Sequence, residues 1–296
     1  MRFVRLIAAA LLAVVGLSGC AVQVPVRWHA GSGPIRVVAS TDVWGSVASL
    51  VGGDRFSVDA IIYGIGQDPH SHELSARDQL LVNNADIVVL NGGGYDDFML
   101  KAIAADPTPA KVINAFDVVG AKSGQNEHVW YDLSRVGLVA KAIGDAESSL
   151  EPDFASATAV RVSAFDAEVS KKVDRLSALR ASPKNVFLTE PLVYYLVREA
   201  GYRNVTPAAF SNAIEEERDV PPLVLKEAID LVSSGSVDAI YLNQSTETAQ
   251  INSLLHSSKA KVYSFGELLP QDAKTHAYLG DYFYMLDSAI AKLEGK

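Results

Sequence analysis

The sequence predicts an α/β fold in two lobes, each a mostly parallel sheet flanked by helices, joined by one long rigid helix. Three observations carry that prediction. Short β-favouring runs alternate with helical patterns from Ile35 to Leu150, the rhythm of a parallel sheet covered on both faces. After Pro152 one apolar stripe (Val162, Phe165, Val169, Val173, Leu176 and Leu179) recurs at steps of three and four. Beyond Pro183 the strand–helix rhythm starts again. The chain divides accordingly into a leader at 1–20, a tether at 21–34, a first lobe at 35–151, a connecting helix at 152–180 and a second lobe at 181–296.

Ile35 to Ala39 reads as the first strand, and Ser40, Thr41 and Asp42 offer caps for a helix through Val51. Phe56 to Tyr63 is a second strand, running into a loop stiffened by Pro69. A helix over Ser75–Ala85 leads to Asp86–Leu90, a continuous apolar strand of the kind buried on both faces. Gly92-Gly93-Gly94 lacks the lysine and spacing of a phosphate loop and reads as a turn. A helix over Asp97–Ala105, a strand over Lys111–Ala115, an irregular segment over Asp117–Glu127 and a helix over Leu133–Leu150 complete the first lobe. At ~1.5 Å per residue the connecting helix is roughly 40 Å long, enough to run the height of two stacked lobes. The second lobe reads as strands at Asn185–Leu188, Ala239–Leu242 and Lys261–Phe265, with helices at Leu192–Ala200, Pro222–Ser233, Thr246–His256 and His276–Leu293.

The ends and the charge narrow the function. Arg2 and Arg5 precede a short apolar run, Leu6 to Leu17, and Leu17-Ser18-Gly19-Cys20 closes it with small residues before a cysteine. The run is too short to span a bilayer. Cys20 is the single cysteine, so no internal disulfide forms. The pattern points to export and to a lipid on Cys20 that anchors the chain to the outer face of the cell membrane. Without the leader's two arginines, 24 basic residues stand against 35 acidic ones, which disfavours nucleic acid as a partner.

Ligands of open parallel sheets sit outside the carboxyl ends of the strands. Four metal-capable side chains fall there: His70, His128, Glu190 and Glu267, two from each half. Two neutral imidazoles and two carboxylates balance a divalent cation, and a neutral cluster avoids the cost of an unpaired buried charge. His72, two residues from His70, either alternates away into solvent or adds a ligand. Glu215, Glu216 and Glu217 are a solvated acidic face, a lure at the cleft mouth or a replacement for Glu267.

These residues resemble the ligand motifs of the metal-binding lipoproteins of ABC importers, the solute-binding family that carries zinc, manganese or iron. Asp68-Pro69-His70 followed by Glu73 resembles the first ligand loop, and His128-Val129-Trp130-Tyr131-Asp132 the second, usually His-x-Trp-x-Asp or Asn. Thr189-Glu190 followed by Tyr194-Tyr195-Leu196 resembles the third, where zinc members commonly have histidine and manganese members glutamate. Phe265-Gly266-Glu267-Leu268 resembles the fourth, where aspartate is usual and this chain has glutamate. The resemblance spans the chain beyond the leader. It implies a non-catalytic monomer that delivers a divalent transition metal to an ABC permease, with lobes that move little.

Carboxylate oxygens suit harder cations and imidazole the middle of the series, so two histidines with two glutamates tilt toward manganese or iron(II), with zinc close behind. Two rivals differ in observable ways. A secreted metallohydrolase built on His70-Ser71-His72 needs further histidines and a coordination position open to water. An adhesin-like lipoprotein with a structural metal unfolds when the metal is removed, whereas a carrier stays folded.

Overall fold

The computed structural model describes residues 33–64, 67–246, 248–271 and 280–296. The leader with Cys20, most of the tether, His29 and His276 lie outside the described residues. The first lobe runs β1 (Ile35–Thr41), α1 (Asp42–Gly52), β2 (Phe56–Ile62), α2 (Ala76–Asn84), β3 (Ile87–Leu90), α3 (Asp97–Ala105), β4 (Lys111–Asn114), α4 (Ala115–Val118) and α5 (Val136–Leu150). Its strands are all parallel, in the order β2-β1-β3-β4. The second lobe runs β5 (Asn185–Leu188), α7 (Tyr194–Glu199), β6 (Arg203–Asn204), α8 (Ala208–Glu215), α9 (Pro222–Ser233), β7 (Ala239–Asn243), α10 (Ala249–His256), β8 (Lys261–Phe265) and α11 (Tyr282–Glu294). Its order, β6-β5-β7-β8, repeats the first, again all parallel. In each sheet the direction of winding reverses beside the opening strand, which places a crevice at the carboxyl ends of β1 and β3 and of β5 and β7.

Between the lobes stands α6 (Ala155–Ala178), with one 3₁₀ turn before it at Pro152–Phe154 and one after it at Leu179–Ala181. The expected stripe faces inward: Phe165, Val169 and Leu176 are buried, and Val162, Val173 and Leu179 pack against the same core. Ion pairs fasten both halves of α6. Arg161 reaches Glu147 of α5 at 3.0 Å, while Lys172 and Arg175 reach Asp287 of α11 at 2.9 and 2.6 Å.

The strands sort their side chains by parity, as a pleated chain must. Val37, Ala39, Ile87 and Val89 point to one core, and Val38, Val88 and Leu90 to another. In the second lobe Val186, Leu188, Ala239 and Tyr241 point inward, and Phe187 and Ile240 outward. The inward sets of both sheets belong to a single continuous core, completed by Trp44 of α1, Ile143 of α5, Phe165 of α6 and Leu286 of α11. Both lobes are therefore packed on common ground rather than hung on a hinge.

Four local differences from the sequence reading have physical causes. The segment after β4 is not wholly irregular: Asn114 caps α4 by accepting the Asp117 amide at 3.2 Å. α5 begins at Val136, later than expected, because Val129–Tyr131 form a 3₁₀ turn and Asp132 accepts the amides of Arg135 and Val136 through its carbonyl. The final helix begins at Tyr282, where Asp281 caps it. β6 and α8 are additions; β6 has two residues, and α8 buries Phe210, Ala213 and Ile214.

Candidate metal centre

The carboxyl ends of the strands supply the site. The loop after β2 carries His70. Asp68 accepts the His70 amide at 2.9 Å and the Ser71 hydroxyl at 3.0 Å, which folds the loop around Pro69. Glu190 lies two residues past β5, Asn243 ends β7 and Glu267 lies two residues past β8. His128 arrives differently, not from a strand end but from the segment after α4, as the residue that opens the Val129–Tyr131 turn. Asn91, after β3, fixes that segment by donating to the Glu127 carbonyl at 2.9 Å while accepting Trp44 Nε1 at 3.1 Å. The three glycines that follow form a turn closed by Asp96, whose carboxylate accepts the Asn91 and Gly92 amides at 2.6 and 2.7 Å. The Asn91 and Gly92 amides are thereby turned onto a carboxylate of the chain itself, in keeping with a turn.

All four residues singled out in the sequence line one small cleft of about 60 Å³ between the lobes, together with Asp68, Glu215, Glu217 and Asn243. Among the described residues no lysine or arginine lines it. His128 is 1 % exposed. Burial lowers its pKa to about 4, so its imidazole is neutral at physiological pH. Asn126 Oδ1 lies 2.7 Å from His128 Nδ1 and takes that proton, leaving the Nε2 lone pair toward the cleft. His70 sits on the rim, its side chain 34 % exposed and its ring edge-on to Tyr95 at 5.1 Å.

The carboxylates are more numerous than the sequence reading allowed. Two imidazoles face five acids in the cleft, Asp68, Glu190, Glu215, Glu217 and Glu267, and Glu127 stands at its mouth. A neutral four-residue set is thus only part of the charge present. Burial raises the pKa of Glu190 and takes Glu267 to about 7, against the hydrogen bonds that favour their ionised forms. Burial, reinforced by Glu127 and Glu190, raises Glu215 strongly. Glu215 Oε1 is 3.6 Å from His128 Nε2. His70, Glu127 and Glu215 offer ligand atoms all within 4.8 Å of one another. The acidic run is therefore not a solvated face throughout, since Glu215 turns inward from the end of α8.

Asn243 escaped the sequence reading. Its amide donates to Glu190 Oε2 at 2.6 Å and also to Glu267 Oε1, so one side chain holds the two second-lobe acids singled out in the sequence. The signal was present: a polar residue ending an apolar strand at the same sheet edge. His72 lies elsewhere. It is half-buried edge-on against Phe98 at 4.8 Å, neither solvated nor in the cleft. His256 sits at the end of α10, its Nδ1 2.6 Å from the Asn252 carbonyl one turn back. Trp130 packs edge-on against His128 at 5.1 Å, and Tyr131 packs against Trp130 at 5.9 Å.

Hydrogen bonds across the lobes lock the cleft. Tyr131 donates to the Gly266 carbonyl at 2.8 Å, Tyr195 to Asn126 at 2.7 Å, Asn126 to Pro191 at 2.7 Å and Tyr282 to Trp130 at 2.6 Å. Asp132, which closes the His128 motif, binds Arg135 of its own lobe and Arg198 of the other at 3.3 Å.

Twin parallel-sheet lobes on a stiff helix, with a narrow cation-seeking cleft between them, define a non-enzymatic solute-binding protein for a metal ion. Residues 37–295 match the sequence profile described as zinc-uptake complex component A, periplasmic (ZnuA), and the chain belongs to that family. It is 22% identical over 273 residues to the manganese ABC transporter substrate-binding lipoprotein PsaA of Streptococcus pneumoniae, covering 85% of each chain. To the iron ABC transporter substrate-binding lipoprotein MtsA of Streptococcus pyogenes it is 23% identical over 275 residues, covering 87% of this chain and 86% of the other. In fold it is similar to the solute-binding protein FpvC of Pseudomonas aeruginosa, solved with manganese, with a TM-score of 0.71 at 23% identity over 88% of this chain and 99% of the other.

Proposed function

We propose that this protein captures a divalent first-row metal in the cleft through His70, His128, Glu190 and Glu267 and hands it to the permease of an ABC importer. One observation carries the reading: two imidazoles and several carboxylates converge on a cleft of about 60 Å³ that, among the described residues, no lysine or arginine lines. A small cation suits that cluster of acids, taking the place of the protons that burial holds on Glu215 and Glu267. Glu267 takes the fourth place in preference to Glu215 because Asn243 and Tyr95 already turn it into the cleft. The leader and Cys20 fit an exported chain held to the outer face of the cell membrane by lipid, and both relatives named above are called lipoproteins. Among the described residues no helix is long and apolar enough to cross a membrane. The protein works as a monomer, since one chain supplies every ligand.

The donor set favours manganese or iron(II) as the metal in use, while the general affinity order keeps zinc the tighter binder in vitro. Protein taken from its native membrane is expected to carry manganese or iron by elemental analysis, and a Glu190→Ala variant neither. Zinc as the sole metal would refute the assignment of cargo. In competition titration of the metal-free protein, zinc is expected to displace manganese; the reverse order would remove the chemical argument. Asn126→Ala, which frees the His128 ring, is expected to weaken metal binding by about 10–100-fold, read by competition with a chromophoric chelator. Unchanged affinity there would mean that Asn126 does not orient the ligand.

A further inference from the structure

Asn243 does more than fill space. It is 5 % exposed, at the edge of β7 between Glu190 and Glu267. Its Oδ1 accepts the Ser245 amide at 3.0 Å, which fixes the orientation of the side chain and turns Nδ2 toward the carboxylates. An amide nitrogen has two hydrogens, and here one goes to each glutamate. Tyr95 Oη holds the remaining oxygen of Glu267 at 3.1 Å. Glu190 Oε1 is left buried, without a hydrogen-bond partner, in a side chain that lines the cleft.

We propose that Asn243 is a specificity-determining positioning residue: by occupying one oxygen of each glutamate it makes both bind the ion through a single oxygen. The proposal rests on the reading of Glu190 and Glu267 as ligands. With Glu190 left only Oε1, and with Oε2 of Glu267 meeting the ion beside its longer bond from Tyr95, the protein offers four donors, two nitrogens and two oxygens. Zinc is satisfied by four ligands in a tetrahedron. Manganese prefers six, rich in oxygen, and gains most when a carboxylate chelates through both oxygens. Asn243 therefore sets the margin of zinc over manganese through the two glutamates it holds.

The test measures zinc and manganese affinities of the metal-free protein and of Asn243→Ala, Asn243→Ser and Tyr95→Phe, with the electron paramagnetic resonance spectrum of bound manganese. Asn243→Ala is expected to lose about 10–100-fold in zinc affinity, the range for an outer partner of a ligand, and much less in manganese affinity. The ratio then falls, and the manganese spectrum changes as the carboxylates close on the ion. Asn243→Ser, with one donor, and Tyr95→Phe, which frees one oxygen of Glu267, are expected to shift the ratio less, in the same direction. Cooperative thermal unfolding checks that each variant folds, and the latter two carry the test if Asn243→Ala does not. Equal losses for both metals, at constant ratio and with an unchanged spectrum, would overturn the proposal and reduce Asn243 to a packing role. Glu190→Gln and Glu267→Gln separate the two claims. If either keeps full affinity for both metals, the ligand reading fails. If both lose metal while Asn243→Ala keeps the ratio, only the role of Asn243 fails.

Discussion

Replacing His128 with alanine is expected to abolish metal capture at micromolar concentrations while leaving a folded protein. The imidazole is buried, neutral and oriented by Asn126, so its Nε2 is the one donor in the cleft prepared in full before the ion arrives. Loss of even an outer partner costs about 10–100-fold, and removal of the ligand itself costs more. Glu215 is a poorer substitute, because in the metal-free protein burial and the acids around it keep it protonated, so it must give up a proton before it can bind. His72→Ala serves as the control. Its ring lies against Phe98, so the same calorimetric titration should show unaltered affinity. Binding by His128→Ala within threefold of the parent protein would remove His128 from the ligand set.

The metal-free protein is expected to lose stability as pH rises from about 6.5 to 9. Glu267 and Glu215 keep protons in the folded state that the unfolded chain releases near 4.5, Glu267 until about pH 7 and Glu215 beyond it. Above 4.5 the folded state thus binds more protons, and stability falls with pH at about 1.4 kcal/mol per pH unit for each proton of difference. His128 acts in the opposite sense. Its folded value near 4 lies below the unfolded 6.5, so between those limits the unfolded state binds the extra proton and stability rises with pH. The opposing effect is spent by about 6.5, which leaves the decline visible above it. Glu215→Gln should flatten the decline and raise the midpoint of thermal unfolding at pH 8. Metal binding at pH 7 should release protons, seen as a calorimetric enthalpy that depends on the buffer. A midpoint that is level or rises across this range in the metal-free protein would show that these carboxyls are ionised without penalty.

Much of the fold was legible because its central strands are short, apolar and buried on both faces. Ile87–Leu90, Asn185–Leu188 and Ala239–Asn243 leave little room for another reading. The stripe from Val162 to Leu179 likewise fixes which face of α6 turns inward. What escaped were features defined by tertiary contact. β6 has two residues, too few for any periodicity, and α8 is short and ends in an acidic run that reads as surface. Its spacing of Phe210, Ala213 and Ile214 marked a buried face, which carries Glu215 into the cleft. Asn126 was illegible for a related reason, and Asn243 showed its place at a strand end but not its role. An asparagine shows its purpose only when its partners, distant in the chain, are brought beside it.

The continuous core beneath both sheets has a consequence for signalling. Lobes packed on one core are expected to keep almost the same outline with and without the ion. Whatever tells a full carrier from an empty one must read the rim, where the His70 loop and the end of α8 meet. Scattering profiles of the two forms should superimpose, while amide exchange should differ only along that edge.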